Sequence, residues 1–399
     1  MERRPLIIVG SGPAGAASAL FLQAQDPALA SEILILEKAR HPRVKICAGG
    51  LIPHTLSCLR DLGLTLSVPN VAVHRARVAI PGRDIAYQGH ELGRVVRRDE
   101  FDHSLVVACR ERGIVVRENE KVVDIRREDD GMRVETERGS YHARMLIGAD
   151  GSGSLVRRRL FPGAAMCVGR AVMCDVPVAD TTWGGFAEER YDFSFLPLPD
   201  GLRGYVWAFP CLIGGVPYAN VGVYSVEAKG TGAALVRYLR GELDRMGAGA
   251  APLRSFPIRW YHHGNPLATP HAVLAGDAAG VDPLMGEGIS FAFEYGRRAA
   301  DAAVRAFAVD DFSFADYGRS VASSWVGKKL NRLHLAVRLF YGPTWRLWFS
   351  MAARSRTAQE LGIRWYNGVD GWDRASVRQV LRGWWRGELR ARLASDGSA

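Results

Sequence analysis

The chain has 399 residues and a formal net charge of +10, and its composition, 48% hydrophobic and 24% charged, indicates a globular protein with a sizeable core. Its six cysteines are scattered without CxxC pairs, which argues against a disulfide scaffold or a cysteine zinc site, and no apolar run reaches the roughly 18 residues of a membrane-spanning helix. The N-terminus does not read as a signal peptide, so we expect a cytoplasmic protein, soluble or peripheral at the inner membrane face.

The first element along the chain is a buried strand at residues 6–9, which runs into a glycine-rich turn and an alanine-rich helix in PLIIVGSGPAGAASALFLQ. Gly10, Gly12, Ala14 and Gly15 form this turn, where glycines permit a tight bend, close approach of the backbone to a pyrophosphate and close packing of helix on strand. A second apolar strand, EILILEK, carries an acid, Glu37, about where it would reach a ribose 2′-hydroxyl. The pattern predicts a site for FAD or NAD before NADP.

A glycine-rich loop follows in PRVKICAGGLIP, residues 42–53, where Cys47 is followed by Ala48 and, after one more glycine, by Gly50. Such a loop is flexible enough for the backbone to approach a flat ring and to move with it. Lys45 lies two residues before Cys47, where its charge would favour the thiolate. A buried, inert cysteine beside a flexible turn is the alternative interpretation.

Two later segments favour FAD over NAD. MLIGADGSGSLVRR, residues 145–158, is a strand that runs into a glycine turn, and residues 271–303 combine a strand, a loop containing Asp277 and a long helix that begins near Gly288. A helix start presents free backbone N–H groups and a positive dipole end, which suit the negative charge on the pyrimidine side of a reduced flavin. Asp277 is placed for a ribityl hydroxyl.

The run GYVWAFP, residues 204–210, predicts a strand whose Tyr205, Trp207 and Phe209 share one face, because side chains alternate along a strand. An aromatic face of this size is either ordinary sheet core or one wall of a cavity that holds something large, flat or apolar. The run alone does not decide between the two.

The fold class predicted from these elements is α/β with an antiparallel sheet: a Rossmann-like FAD-binding domain, an inserted antiparallel β substrate domain and a helical C-terminal tail. The expected boundaries are 1–60, 95–165 and 265–325 for the discontinuous FAD-binding domain, 61–94 and 166–264 for the substrate domain, and 326–399 for the tail. His262 and His263 are neighbours that cannot share a strand face and have no Cys, Asp or Glu beside them, so we expect a surface loop there and no metal site.

The basic character of the chain is concentrated in its last part. Residues 325–399 carry 14 Lys and Arg against 5 Asp and Glu, and seven of the ten tryptophans. A predicted helix there has basic and apolar sides, formed by Arg374, Arg378, Arg382, Arg386 and Arg390 and by Val377, Val380, Leu381, Trp384 and Leu393. This basic helix is either a solvated face or a contact with a membrane surface, for which Arg and Trp are suited. Nucleic acid is disfavoured because no recognised binding module accompanies the charge.

Three segments together, GSGPAG, GADGSGSLVRR and AGDAAGVDPLMGEGI, resemble the flavin segments of p-hydroxybenzoate hydroxylase-like flavoproteins. Within that superfamily, KICAGG and GYVWAFP resemble the Lys-x-Cys-x-Gly-Gly and Tyr-x-Trp-x-Phe-Pro segments of the FAD-dependent geranylgeranyl reductases, and the resemblance covers roughly residues 5–310. It implies FAD as cofactor, with flavin contacts from Cys47, Ala48, Gly50, Gly288 and Ile289, and a substrate chamber lined by Tyr205, Trp207, Phe209 and Pro210.

A further stretch, VVRRDEFDHSL, resembles the Arg-x-x-Phe-Asp helix start of the superfamily. It implies that Arg98 contacts the flavin nucleotide and that Val123 lies near the adenine. The chain departs from the family pattern in one place: the family has a Gly-x-Gly a short distance after the aromatic motif, whereas here Asn220 stands at the first of these positions and Gly222 at the second.

The resemblance implies an enzyme that reduces carbon–carbon double bonds of an isoprenoid chain, in a small molecule or a lipid, by hydride transfer from reduced FAD. Cys47 is then the nearest candidate for delivering the proton that completes the reduction. No second dinucleotide motif is evident, so we expect the electron donor to be transient NAD(P)H or a reduced redox protein. The alternatives are a flavin-dependent monooxygenase or halogenase that activates O2 on an aromatic substrate, and a flavin-binding protein without turnover.

Overall fold

The computed structural model describes residues 1–178, 183–368, 378 and 382–385. Its strands, in chain order, are β1 (Glu2–Val9), β2 (Leu34–Leu36), β3 (Gly50–Leu51), β4 (Asn70–Ile80), β5 (Arg83–Val96), β6 (Val115–Arg117), β7 (Val122–Glu128), β8 (Gly131–Thr136), β9 (Ser140–Gly148), β10 (Val168–Pro177), β11 (Arg190–Ser194), β12 (Gly204–Ile213), β13 (Val216–Ser225), β14 (Arg254–Arg259), β15 (Ala268–Thr269) and β16 (Ala272–Leu274). Its helices are α1 (Pro13–Gln25), α2 (Pro27–Glu32), α3 (Pro53–Asp61), α4 (Arg98–Glu111), α5 (Leu155–Leu160), α6 (Gly184–Ala187), α7 (Gly232–Arg245), α8 (Ile289–Val309), α9 (Tyr317–Ser323), α10 (Trp325–Phe340), α11 (Trp345–Arg354) and α12 (Arg356–Tyr366).

Strand β1 lies in the parallel part of a mixed sheet, between β9 and β2, with β16 beyond β9 and β6 beyond β2. Strands β8 and β15 pair antiparallel with β9 and β16, and β7 pairs antiparallel with β8. The apolar run at the end of β1 is buried, as is typical of a parallel sheet, and α1 packs on both β1 and α8. Val9, Gly148 and Leu274 end neighbouring strands in register, so the turns that follow them meet at one edge of the sheet. Open α/β sheets bind their ligands at this carboxyl edge.

The second sheet has the strand order β14-β10-β13-β12-β11-β4-β5-β3 and is antiparallel except where β11 lies parallel to β4. Side chains of its central strand β12 alternate between two buried faces. Val206 and Ala208 pack with apolar residues of α7, whereas Tyr205, Trp207 and Phe209 belong to the main core on the opposite face. The aromatic stripe expected from the sequence therefore occupies one face of this sheet.

Parallel and antiparallel sheets joined by helices give the mixed α/β fold expected from the sequence. One strand does not follow the expected domain boundaries: β3 pairs with β5 in the antiparallel sheet, although it lies within residues 1–60. The chain can turn closely against β5 because Gly49 has φ +78, and a Cβ there would lie 2.0 Å from Val96 O. The division into domains stays a prediction.

Helices α10 to α12 occupy the first part of the expected helical tail and pack against α8, α9 and β5. Within the ranges given above, no helix has both the length and the apolar character needed to cross a membrane. The predicted basic helix lies mostly outside the described residues, which do not include Arg374, Arg386, Arg390, Val377, Val380, Leu381 and Leu393.

Candidate active site

A cavity of about 810 Å³ lies where the carboxyl edge of the parallel sheet meets the aromatic face of the antiparallel sheet. The predicted site residues that line it are Gly10, Gly12, Ala14, Glu37, Cys47, Ala48, Gly50, Arg98, Val123, Tyr205, Trp207, Phe209, Asp277, Gly288 and Ile289. Gly15 and Pro210 do not line it. Pro210 follows Phe209 on β12, so strand alternation directs it to the opposite face. The cavity thus unites the dinucleotide loop, the cysteine loop and the aromatic stripe.

Close backbone contacts leave no room for a side chain at two glycines of the dinucleotide loop. Gly10 has φ +98, and a Cβ there would lie 2.5 Å from Ala149 O. A Cβ on Gly15 would lie 1.9 Å from Gly10 O, so Gly15 serves to pack α1 against the end of β1. No side chain caps the N-terminus of α1, which leaves its first N–H groups for a ligand.

Glu37 lines the cavity, and both of its carboxylate oxygens accept hydrogen bonds from the protein. Oε2 accepts from Ser11 N at 3.0 Å and from Ser11 Oγ at 2.9 Å, and Oε1 accepts from Ala39 N at 3.0 Å. The acid therefore ties the end of the second strand to the dinucleotide loop, and its contact with a ribose stays a prediction. Arg43, which sequence reasoning missed, also lines the cavity, with Nη2 3.1 Å from Asp102 Oδ2.

Arg98 begins α4 and is 8% exposed. Its Nε and Nη2 donate to the two oxygens of Asp102 at 2.8 and 3.1 Å. Burial acts to lower the pKa of Arg98, but the Asp102 carboxylate opposes it and the pKa is raised above its ordinary value. The guanidinium therefore stays charged at the cavity wall. Val123, on β7, contributes an apolar surface that is 40% exposed.

The start of α8 borders the cavity beside a carboxylate. Asp277 Oδ2 accepts a hydrogen bond from Ser152 Oγ at 2.9 Å, and a Cβ built on Gly288 would lie 3.3 Å from Asp277 Oδ1. The N–H groups expected to be free at this helix start are partly taken, because Ser290 N donates to Glu287 Oε1 at 2.9 Å. Burial raises the pKa of Glu287.

Three tyrosine hydroxyls hold the loop that precedes α8. They donate to successive carbonyls: Tyr224 to Pro283 O at 2.9 Å, Tyr341 to Leu284 O at 2.7 Å and Tyr205 to Met285 O at 2.6 Å. Asp282 accepts from two backbone N–H groups of the same turn, and burial raises its pKa to about 7. Because the hydroxyls come from β13, the end of α10 and β12, the loop is fixed from three elements.

Cys47 is the only one of the six cysteines that lines the cavity, and all six belong to the described part of the chain. Its Sγ accepts a hydrogen bond from Gly49 N at 3.4 Å. Burial raises the pKa of each of the other five cysteines, which favours their thiol form. By position, Cys47 is therefore the cysteine that can act on a bound molecule.

Lys45 also lines the cavity, and its Nζ lies 3.3 Å from the centre of the Phe256 ring. Burial lowers the pKa of Lys45 to about 8, although Asp277 acts in the opposite direction. The aromatic face of Phe256 offsets part of the hydration that the ammonium group loses in this site.

The Trp207 indole lies across the backbone of the neighbouring strand, where a Cβ on Gly222 would be 2.2 Å from Trp207 Cζ2. Its Nε1 donates to Asn220 Oδ1 at 2.8 Å. Phe193 and Tyr366 extend the wall, with ring centroids 6.4 Å apart. Tyr366 ends α12, so the C-terminal helices also contribute to the cavity.

Several cavity residues were missed by sequence reasoning: Arg43, Phe193, Tyr224, Phe256 and Tyr366. Strand alternation offered a signal for Tyr224, which lies two residues after Gly222 and pairs with Tyr205 across the sheet. No local pattern marks Tyr366, because its place depends on how α12 packs.

Potential metal-ligating groups lie away from the predicted histidine pair. His262 is half-buried and His263 exposed, with rings stacked 4.8 Å apart. Elsewhere, His54 Nε2 lies 3.0 Å from Glu294 Oε1, close to Cys58. Burial raises the pKa of Cys58 to about 12, so its thiol stays protonated and the group joins α3 to α8 by hydrogen bonds.

The cavity suits a dinucleotide that carries a flat ring system. Arg43, Lys45 and Arg98 place positive charge at its wall, and the uncapped start of α1 offers N–H groups to a diphosphate. Arg43 Nε is a buried donor that has no hydrogen-bond acceptor among the described residues. An anionic ligand supplies such an acceptor, and the aromatic wall suits the ring system, so these residues fit FAD.

Residues 3–183 match the family described as FAD binding domain. The chain is 30% identical to the menaquinone reductase of Mycolicibacterium smegmatis over 324 residues, which cover 75% of this chain and 76% of that protein. It is also 30% identical to the geranylgeranyl diphosphate reductase of Rhodobacter capsulatus over 322 residues, which cover 74% of each protein.

The fold is similar to that of a geranylgeranyl bacteriochlorophyll reductase-like protein from Thermoplasma acidophilum, with a TM-score of 0.76, 22% identity and 96% of both chains covered. A flavin-dependent brominase has the same fold, with a TM-score of 0.73 and 18% identity over 96% of this chain and 99% of that one. At these identities the two structures show the fold alone. The sequence matches and the cavity together show that the chain belongs to the FAD-dependent geranylgeranyl reductase family and is an oxidoreductase with FAD as its cofactor.

Proposed function

We propose that this protein reduces carbon–carbon double bonds in the isoprenoid chain of a small molecule or lipid. The observation that carries the proposal is the aromatic wall, because Tyr205, Trp207 and Phe209 line the same cavity as the dinucleotide loop and Cys47. When bound, reduced FAD supplies a hydride to one carbon of the double bond. An isoprenoid chain offers no polar group beside its double bonds, so contact with the rings must hold it in place.

The protein contributes binding, exclusion of water and a proton. The three wall rings are nearly buried, so they shield a bound chain from solvent. Cys47 delivers the proton to the second carbon of the double bond, which completes the addition of hydrogen. In the same proposal Glu37 contacts the ribose of FAD and Asp277 contacts its ribityl chain.

Further flavin contacts belong to the same proposal. They come from Gly10, Gly12, Ala14, Cys47, Ala48, Gly50, Arg98, Gly288 and Ile289, with Val123 beside the adenine. The FAD-binding domain then consists of 1–60, 95–165 and 265–325, and the inserted antiparallel domain covers the flavin. Gly15 and Pro210 support these contacts from behind the cavity wall.

The names of the related proteins support an isoprenoid compound as the substrate. Their names refer to menaquinone, to geranylgeranyl diphosphate and, in Methanococcus vannielii, to digeranylgeranylglycerophospholipid, all of which are isoprenoid compounds. The chain is 23% identical to the Methanococcus vannielii protein over 329 residues. We take the polyprenyl chain, which these compounds share, as the part that the aromatic wall recognises.

A membrane-surface contact accompanies this proposal, since a lipid-embedded chain must leave the bilayer to reach the cavity. Leu335 and Leu347 are 56% and 44% exposed on α10 and α11. They belong to the basic C-terminal region, residues 325–399. We expect the protein to sediment with anionic vesicles and not with neutral ones, and equal sedimentation would contradict an electrostatic contact at the inner membrane face.

The reduction is tested anaerobically. The bound flavin is reduced with dithionite, excess reductant is removed, geranylgeranyl diphosphate or a geranylgeranylated lipid is added, and the visible absorbance of oxidised flavin is followed. We expect the flavin to reoxidise without oxygen and the product to gain two hydrogen atoms per turnover. If the flavin stays reduced with every prenyl substrate and then forms an oxygen adduct in air, the result supports an oxygen-activating enzyme instead. Repeating the reduction step with NADPH, NADH or a reduced ferredoxin identifies the electron donor.

A further inference from the structure

Asn220 lies behind the aromatic wall and contacts three parts of the site. It is 1% exposed on β13. Its Oδ1 accepts from Trp207 Nε1 at 2.8 Å, and its Nδ2 donates to Asp175 Oδ1 at 2.8 Å and lies 3.5 Å from Cys47 O. One buried amide therefore links the aromatic wall, strand β10 and the cysteine loop.

The orientation of this amide follows from its hydrogen-bond partners. Arg97 Nη1 donates to Asp175 Oδ2 at 3.0 Å, so Asp175 accepts a charge-assisted hydrogen bond on the side away from Asn220. The indole N–H of Trp207 only donates hydrogen bonds, so the oxygen of Asn220 must face the indole and its NH2 group must face Asp175. Arg97 is also the N-cap of α4, whose first residue, Arg98, lines the cavity.

The Trp207 ring has few alternative positions. Gly222 leaves the space that the indole fills, because a Cβ there would overlap the ring at 2.2 Å. The indole N–H is directed at Asn220 Oδ1, and without that acceptor a buried donor would be left unpaired. The ring would then have to turn toward another acceptor and change the shape of the wall.

We propose that Asn220 is a positioning residue that fixes the Trp207 ring and the Cys47 loop in one arrangement, and that it thereby sets which isoprenoid chain lengths the cavity accepts. The inference rests on the proposed function for the kind of substrate. The hydrogen bonds on which it depends are properties of the chain itself.

The test compares variants of the full-length, FAD-loaded protein. Asn220→Leu keeps the approximate size and removes every hydrogen bond of the amide. Trp207→Phe removes the indole donor, and the double variant measures the coupling between the two positions. Asn265→Leu is the control, since the half-buried Asn265 side chain accepts from Ala165 N and donates to Ala165 O, away from the aromatic wall and the cysteine loop.

For Asn220→Leu we expect kcat/KM with geranylgeranyl diphosphate to fall about 100-fold, because a ring displaced by an ångström misplaces the chain. The ratio of kcat/KM between farnesyl and geranylgeranyl diphosphate should shift at least about fivefold, whereas Asn265→Leu should leave the ratio unchanged. In the Trp207→Phe background the effect of Asn220→Leu should shrink to within about threefold. The near-ultraviolet circular dichroism of Asn220→Leu should lose a tryptophan signal that Asn265→Leu retains.

A charge-swapped pair provides the rescue. Asn220→Asp alone sets two carboxylates against each other, but combining it with Asp175→Asn restores the hydrogen bonds to the indole and between the two strands, because the amide introduced on β10 would donate to the carboxylate introduced on β13 and accept from Arg97. Only the contact with Cys47 O is not restored, so the pair isolates the effect on the Trp207 ring. We expect the pair to recover the wild-type substrate ratio to within about twofold. If Asn220→Leu does not fold, the single and paired swap variants decide the same question.

The outcomes separate this inference from the proposed function. An unchanged substrate ratio in Asn220→Leu, with wild-type turnover of prenyl diphosphates, overturns the positioning role and leaves the function intact. If the wild-type protein reduces no prenyl substrate, the function fails, and the positioning role is decided by circular dichroism and unfolding. The positioning role is then overturned in either of two cases. The losses of unfolding free energy in Asn220→Leu and Trp207→Phe add up in the double variant, or Asn220→Leu keeps the near-ultraviolet tryptophan signal of the wild type.

Discussion

The two ends of the cavity are built in opposite ways. At the dinucleotide loop, Gly10 and Gly15 make contacts so close that no Cβ could be added to either. At the aromatic wall, large side chains are buried with their polar atoms paired, as with Trp207 Nε1 on Asn220 and Tyr205 Oη on Met285 O. At Gly10 and Gly15 the loop therefore has no space for an added methyl group, whereas in the wall the loss of a polar partner would leave a buried group unpaired.

The largest effect is expected from adding one methyl group at the loop. In Gly15→Ala the new Cβ would lie 1.9 Å from Gly10 O, so α1 must move away from β1. We expect the variant to lose about 3 kcal/mol of unfolding free energy and to purify without FAD. Denaturant unfolding and the flavin-to-protein absorbance ratio measure this.

Gly241→Ala on α7 is the control, because a Cβ at Gly241 meets nothing within 4 Å. We expect it to gain about 0.5 to 1 kcal/mol, since alanine favours helix over glycine. Full FAD content in Gly15→Ala would show that the backbone of the loop can move to accommodate a methyl group. The two ends of the cavity would then not differ in the way described above.

Between the two ends, Cys47 tests whether the cysteine loop takes part in chemistry. Cys47→Ser removes the thiol with little change in size, so FAD should remain bound while turnover falls about 100-fold. Stopped-flow reoxidation by a prenyl substrate measures the rate. Cys167→Ser, at a half-buried position outside the cavity, should keep the wild-type rate. Full activity in Cys47→Ser would rule out its role as proton donor.

The buried amine of Lys45, between the two ends of the cavity, should make the stability of the protein depend on pH. Its pKa in the folded protein is about 8, below the ordinary 10.5, so the unfolded chain binds the additional proton between these values. The contribution of Lys45 to the free energy of unfolding is therefore greatest above pH 10.5, where the amine is neutral in both states. It declines as the pH falls and is lost below about pH 8. From about pH 8 to about pH 10, wild type should gain about 2 kcal/mol of unfolding free energy relative to Lys45→Met. Urea unfolding of both proteins across this range is the measurement, and parallel pH profiles would contradict it.

The smallest effect concerns one hydroxyl of the wall. Tyr205→Phe leaves Met285 O without its donor, so we expect a loss of about 1 kcal/mol. The control is Tyr238→Phe, whose hydroxyl donates to Asp200 Oδ2 at the surface and should cost less than about 0.5 kcal/mol. Equal losses in chemical unfolding would mean that burial adds nothing to the value of this hydrogen bond.

The same contrast explains what could be predicted from the sequence. The dinucleotide loop could be located because strand, turn and helix follow one another directly, and Gly10, Gly12 and Glu37 indeed line the cavity. Strand alternation also placed the three wall rings on one face. Pro210 was included only through the motif, and alternation directs it to the other face.

The polar partners of the wall could not be predicted in this way. Asn220 stood out only as a departure from a glycine pattern, because its partners Asp175 and Cys47 are distant in the chain and meet it only when the strands pair and the loop folds over them. Likewise, Glu287 occupies part of a helix start that was expected to be free. Side-chain hydrogen bonds between distant segments depend on tertiary packing, which periodicity does not encode.

Tyr366 shares one cavity with Gly10, although the two residues lie near opposite ends of the chain. Synthesis proceeds from the N-terminus, so the dinucleotide loop, β9, β16 and α8 all leave the ribosome before α12 does. A nascent chain thus holds the dinucleotide loop while the cavity still lacks Tyr366. Loading of the cofactor and closure of the chamber can therefore occur at different times during biosynthesis.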